Sequence, residues 1–353
     1  MNRTIAFLVF VSALAPAPRA FAVGESVDGF PSYAERVQHE LTNRARVDPQ
    51  FEMTACGANC GEAACYTPQP PLRYKAALNR SARFHAAHLN KNGYFAFNSS
   101  CQLVSNIADI FPSQCDGSAS CSCVGGVQSC PCTAFDQRIG LFGSSASGSL
   151  LASAAGPEQA FYLMLFAPSA SSTCSFSVEN SSRFQLLTSS GGIGFGAEGG
   201  DFVGDLASGG DEYEIASGSH WPRQAESVEA WANFSDVAAP NASLINVDGA
   251  CTPMSLQRGT PANGAYRATL SGVGSGCHRY YFVFADSTDA IVTYPETGSL
   301  GIGPEGSCSD FSIDRQPLGA GCAVPEPAGA ACTAAALATL ALLAGAHTNS
   351  ARR

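Results

Sequence analysis

His85 and His88 stand three residues apart in the segment PPLRYKAALNRSARFHAAHLNKNGYFAF, residues 70–97. Two imidazoles at that spacing share one face of a helix, where they can chelate a metal. A ligand set needs three or four members, and no acidic residue or third imidazole is placed with this pair by the local pattern. The bland reading is a pair of core histidines. His220 and His278 fall in a β-rich region, and the serine-rich stretch Ser144 to Ser149 holds no G-x-S-x-G elbow. Tyr294-Pro295-Glu296-Thr297-Gly298 reads as a strand end with a turn. No nucleophile, base and oxyanion donor come together, so the reading leans away from an enzyme, with no catalytic residue, metal or cofactor expected.

Cysteine is the other residue type that could do chemistry, and the chain has 15. Ten lie in the first half: Cys56, Cys60, Cys65, Cys101, Cys115, Cys121, Cys123, Cys130, Cys132 and Cys174. Cys251, Cys277, Cys308 and Cys322 form a second group, and Cys332 sits alone near the end. In an exported chain such even groups read as disulfides closed within each domain. Two C-x-C pairs between Cys121 and Cys132 are the alternative, a thiolate zinc site, although the usual C-x-x-C spacing is missing. Their surroundings, QCDGSASCSCVGGVQSCPC, are too poor in apolar residues to build a core, so cross-links must hold them in shape.

The elements that must position these residues are legible. Leu78, Ala82, His85, Ala86 and Leu89 recur at helical spacing, and Asn92-Gly93 supplies a stop before Tyr94 and Phe95. An upstream helix carries Glu40-Leu41-Thr42-Asn43-Arg44-Ala45-Arg46. Pro157-Glu158 opens a short apolar helix that runs to Phe166.

These segments resemble the CAP superfamily (cysteine-rich secretory, antigen 5, pathogenesis-related 1), in particular its bacterial branch. Leu72, Leu78, Ala82, His85, Ala86, Leu89, Gly93 and Phe95 match the family's central helix, and residues 40–46 are similar to its opening L-x-x-x-N-x-x-R run. Arg138-Ile139-Gly140 and residues 148–152, GSLLA, look like its R-x-x-x-G and GENIA segments. Residues 182–187, SRFQLL, through Gly194-Phe195-Gly196 resemble its H-R-x-x-I-L to G-V-G ending. The resemblance implies an α+β fold, an α-β-α sandwich over residues 31–210 with a cysteine-rich insertion at 101–132. It also implies a cleft in which two histidines and two acidic residues hold a divalent metal. Here Phe97, Ser149 and Ser182 stand at three of those positions, beside His85, and the fourth is not placed. Such a degenerate cleft implies a non-catalytic scaffold, with a hydrolase working around His85 and His88 as the alternative.

From about Gly218 the pattern changes to period two. Val228, Ala230, Ala232 and Phe234 alternate, Leu244 to Val247 runs into Asp248-Gly249, and Asn263-Gly264 precedes alternating Tyr266, Ala268 and Leu270. Tyr280 to Ala285 and Ala290 to Tyr294 are apolar runs around a polar turn. Residues 218–312 are expected to form a small antiparallel sandwich, similar to immunoglobulin-like modules, with Cys251 and Cys277 placed to clamp its sheets. Tyr266, Tyr280, Tyr281 and Trp231 are candidate stacking faces for an extracellular polysaccharide or cell-wall glycan, although strand alternation turns some of them inward and core packing is the expected role of most.

Both ends speak of export. Arg3, the apolar run Ile5 to Leu14 and Ala20-Phe21-Ala22 read as a signal peptide over residues 1–22. Val324, Pro325, Glu326 and Pro327 precede an apolar stretch, 328–346, long enough to cross a membrane, and Arg352-Arg353 close the chain. The tail 324–353 resembles the PEP-CTERM sorting signals of Gram-negative bacteria, which implies an exosortase-type processing enzyme as a partner and a surface or matrix location. Net charge is -10. It becomes about -13 once both ends are set aside, because four arginines leave with one glutamate. Without a basic run, nucleic acid is not an expected partner.

Overall fold

Ser32 starts the first helix through a capping box: its hydroxyl accepts from the Glu35 amide while the Glu35 carboxylate accepts from the Ser32 amide. The structure is a computed structural model that describes residues 30–118, 132–168, 174–175, 177, 181–210, 213–319 and 322. The expected signal peptide, the stretch 119–131 with Cys121, Cys123 and Cys130, and the expected sorting tail lie outside these residues. Among the described residues no helix is long and apolar enough to cross a membrane.

The helices are α1 (Tyr33–Val47), α2 (Pro49–Met53), α3 (Ala76–Asn92), α4 (Ile107–Ile110), α5 (Phe135–Leu141), α6 (Pro157–Leu165) and α7 (Ser181–Thr188). They surround a first sheet of β1 (Arg73–Tyr74), β2 (Gly148–Ser153), β3 (Gly192–Glu198) and β4 (Asp201–Ala207), in the order β1-β3-β4-β2. Only β1 and β3 run parallel. Alternation along the strands sends Leu150, Ala152, Ile193, Phe195, Phe202 and Leu206 to one face, where they meet α1, α6 and α7. Val203 faces the other way, against Ala82, Ala86 and Leu89 of α3. Helix α3 lies almost on the sheet backbone: a Cβ on Gly194 would come within 2.0 Å of the Asn79 amide nitrogen, and one on Gly196 within 2.2 Å of the Ala82 carbonyl carbon. Gly93 ends α3 in the left-handed region, φ 65°, as its Asn-Gly stop predicts.

Ten further strands make two antiparallel sheets around one core. The first contains β5 (Ile215–Trp221), β6 (Ser227–Ser235), β9 (Ser255–Thr260) and β10 (Asn263–Ser271), in the order β5-β6-β10-β9. The second runs β14-β13-β11-β7-β8, from β7 (Ala242–Val247), β8 (Ala250–Pro253), β11 (His278–Ala285), β13 (Ser299–Ile302) and β14 (Phe311–Ser312), with β12 (Ile291–Tyr294) also paired to β11. The alternating residues of β6 and β10 meet Tyr280, Phe282 and Phe284 of β11. Asp248-Gly249 forms the β7–β8 turn with both residues at positive φ, as expected. Asn263-Gly264 does not form a turn. The two-residue loop is Pro261-Ala262, and Asn263 already pairs with Thr260.

One arrangement was not legible in the sequence. Every residue of α1 except Ala34 is buried, because the helix packs against the first sheet on one side and against β5, β6 and β10 on the other. Its polar side chains therefore bond inside the protein: His39 and Asn43 reach the Leu72 backbone, and Asn43 also bonds Ser217 on β5. Phe30 and Tyr74 belong to the core of the two later sheets.

Four disulfides close among the described residues: Cys56–Cys60, Cys65–Cys174, Cys251–Cys322 and Cys277–Cys308. Cys101 and Cys115 are also bonded. The two expectations that fail concern partners. Cys251 and Cys277 do not clamp the sheets: Cys251 on β8 and Cys277 beside β11 both belong to the six-stranded sheet and bond Cys322 and Cys308 instead. Cys132 is a free, exposed thiol. The bonds indicate an oxidising, extracellular setting consistent with export.

Candidate functional site

Helix α3 presents Ser81, His85 and His88 along one face, and β2 and β4 run past its flank. Opposite stands α5, whose Arg138 side chain is wholly buried. Ser149 and Asp205 are direct cross-strand partners on β2 and β4. Asp205 collects three donors: Ser81 Oγ at 2.7 Å, Ser149 Oγ at 2.8 Å and Arg138 Nη2 at 3.2 Å. Neither Arg138 nor Asp205 has solvent exposure.

The loop after α3 is tied to the same cluster by its backbone. Arg138 Nη1 donates to the Phe97 carbonyl at 2.7 Å, and His85 Nε2 lies 2.8 Å from the Ala96 carbonyl. A carbonyl only accepts, so Nε2 carries the hydrogen and Nδ1 is left as a buried acceptor without a protein partner. The Phe97 ring turns outward and is 44% exposed. His88 Nδ1 meets the Tyr94 hydroxyl at 2.7 Å, and the ring stacks on Phe84. Burial, reinforced by the positive charge of Arg138, holds His85 well below its ordinary range and His88 at about 4. Both imidazoles are therefore neutral at physiological pH.

Phe97 and Ser149 are thus brought together through Arg138, one by its backbone and the other through Asp205. Ser182 is half-buried on α7, whose Leu186 and Leu187 pack into the α1-side core, whereas the Ser149 hydroxyl faces α3. Ser81 and Asp205 escaped the sequence reading. A charged residue inside the apolar run Phe202-Val203-Gly204-Asp205-Leu206 was the available signal, because strand alternation points it to a covered face. Among the described residues no group of three or more His, Cys, Asp or Glu is placed to hold a metal ion.

The aromatic faces proposed for glycan stacking are spent on structure. Tyr266, Tyr280, Tyr281 and Trp231 are all buried. Their polar ends bond the Pro261 carbonyl, His220, the Gln316 carbonyl and Glu229 respectively. Trp231 stacks on Trp221 with Arg44 5.0 Å from each ring. Elsewhere, a cleft of about 680 Å³ opens between the start of α1, the outer face of α3 and Phe311. Its Arg83 and Glu35 are mutually paired at 2.7 Å, and the Asp205 cluster does not line it.

No family profile, curated protein or solved structure matches this chain.

Proposed function

We propose that the chain is an exported, CAP-like scaffold that acts by binding or by structural support rather than by catalysis. The layering of α3, the first sheet, and α1 with α6 and α7 supports a CAP-type α-β-α sandwich, and the two later sheets support an immunoglobulin-like module. The observation that carries the non-catalytic reading is the Arg138–Asp205 pair. Where the family resemblance calls for a metal-binding histidine and glutamate, this chain has Phe97, turned outward, and Ser149, bonded to Asp205. A buried guanidinium there repels a divalent cation, and the carboxylate it holds already accepts from three donors.

A hydrolase around His85 and His88 gains no support from the geometry. Each imidazole is buried and held by the loop that follows α3, so neither is presented to solvent. The disulfides support export, and the Val324–Pro327 motif with its apolar tail supports delivery to a Gram-negative surface or matrix through an exosortase-type enzyme. Elemental analysis of the purified protein tests the scaffold reading, with no stoichiometric zinc expected. One zinc per chain, lost on His85→Ala, would overturn it. Mass spectrometry of the mature C-terminus tests the sorting reading: cleavage near Pro327 is expected, and an intact Arg353 on most of the surface-exposed protein would leave a permanent anchor instead.

A further inference from the structure

Arg36, Arg46, Arg138 and Arg183 are the four arginines most completely withdrawn from solvent. Arg138 faces Asp205 and Arg183 faces Glu62, so these two charges are neutralised where they lie. Arg36 acts on Asp310: burial alone would raise that carboxyl, yet Arg36 and the Tyr33 amide hold it below its ordinary range. Among the described residues Arg46 has no such counter-charge. Its Nε donates to the Pro70 carbonyl at 2.9 Å, Nη1 to Leu186 at 2.6 Å and Nη2 to Ser189 at 2.6 Å. Carbonyl dipoles orient a guanidinium without cancelling its charge, and each Nη still has a second N–H. Burial lowers the group to about 10, the direction expected for a cation held without an anion.

Arg46 opens on a pocket of about 210 Å³, whose other lining residues include Gln69, Arg73, Ser190, Gly191 and Gly209. Arg73 donates to the Tyr213 carbonyl at 3.0 Å and has no carboxylate partner among the described residues. No acidic side chain lines this pocket among those residues, although the chain as a whole carries -10. Asp211 and Glu212 follow closely in sequence and lie outside the described residues. One wall is bare backbone: Gly191 has φ +105°, and a Cβ there would lie 2.5 Å from the Ala207 oxygen.

We propose that this pocket binds an oxyanion between Arg46 and Arg73, with Ser190 as a further donor. The chemistry is that of a carboxylate, sulfate or phosphate group, which a guanidinium fork matches with paired hydrogen bonds. The volume falls below the roughly 300 Å³ at which pockets for drug-sized ligands begin. A free inorganic ion therefore fits whole, and a sugar acid would insert its charged group. The inference stands apart from the scaffold reading, since neither Arg46 nor Arg73 touches the Asp205 cluster.

Calorimetric titration of the purified protein with sodium glucuronate, sulfate and phosphate, each at low ionic strength, tests the proposal. Saturable one-to-one binding at roughly millimolar affinity or tighter is expected for at least one of them. Arg73→Gln should weaken it about tenfold or more, the loss of a charge-assisted contact. Ser190→Ala, at an exposed position, should weaken it several-fold without touching the fold and serves if the arginine variant is unstable. Preference for glucuronate assigns the site to a carboxylate-bearing sugar, and preference for sulfate or phosphate assigns it to the free ion. No saturable binding of any of the three, or affinities unchanged in the variants, would overturn the proposal.

Discussion

Arg138 and Asp205 meet at 3.2 Å with neither side chain reached by solvent, and this pair joins five segments of the chain. Through Arg138 it holds α5 and the Phe97 loop, and through Asp205 it holds β4, Ser149 on β2 and Ser81 on α3. A buried pair of this kind adds little stability compared with apolar residues of the same volume. Breaking it from one side is costly, because the surviving charge stays buried.

Asp205→Asn should therefore destabilise the protein by about 3–5 kcal/mol in urea unfolding. Arg138→Met combined with Asp205→Asn should cost clearly less than the two single changes added together, since the pair shares one loss. Full additivity would show that the two residues act separately.

Acid should weaken the fold through its buried histidines. Burial holds His39 and His88 at about 4 and His220 at about 3, against 6.5 when exposed. In that window the unfolded chain binds protons that the folded chain refuses, so stability is full above 6.5 and declines as pH falls toward about 4. Melting temperatures across the window should follow this slope, and His88→Gln should make it shallower. A flat profile would contradict neutral burial.

Glu40 works in the opposite direction. It sits without solvent exposure between α1 and β6, accepting from Asn233 at 3.2 Å, and burial pushes its carboxyl from 4.5 up to about 8 against the pull of Arg44. The folded state holds a proton that the unfolded state has lost. Its contribution is therefore full below 4.5 and is lost as pH rises through about 8. Glu40→Gln keeps the acceptor for Asn233 and removes the titration, so this variant should outlast wild type in thermal melts above pH 8. A variant less stable than wild type there would show that the ionised carboxylate is needed.

Thiol chemistry separates Cys132 from its neighbours. Cys132 should react with a thiol reagent in the native protein, and Cys132→Ser should leave the melting temperature unchanged. The Cys65–Cys174 bond closes a separation of 109 residues. Removing it should cost about 2–5 kcal/mol, the range for native disulfides. A Cys132 that resists labelling in the folded state would contradict its exposure.

Much of the architecture was legible because periodicity is local. Leu78, Ala82, Ala86 and Leu89 announce α3, the alternation from Val228 to Phe234 announces β6, and Asp248-Gly249 announces its turn. β5, β8, β9, β13 and β14 were not read, since strands such as Ser255–Thr260 at a half-exposed edge carry no apolar alternation. The glycines at 194 and 196 were noted as part of a resemblance, but their reason, the approach of α3 to the sheet backbone, exists only once both elements are placed.

The amino-acid sequence by itself determined α1, α3 and α6, most central strands of the later sheets and the oxidising compartment, because each follows from spacing, composition or count along the chain. Tertiary structure alone decided that α1 serves both halves of the molecule, that Asp205 takes up Ser149 and Arg138, and that Arg46 is buried with no carboxylate partner among the described residues. Charge pairing and burial depend on which faces meet across separations such as the 67 residues between Arg138 and Asp205, and no local pattern encodes that meeting.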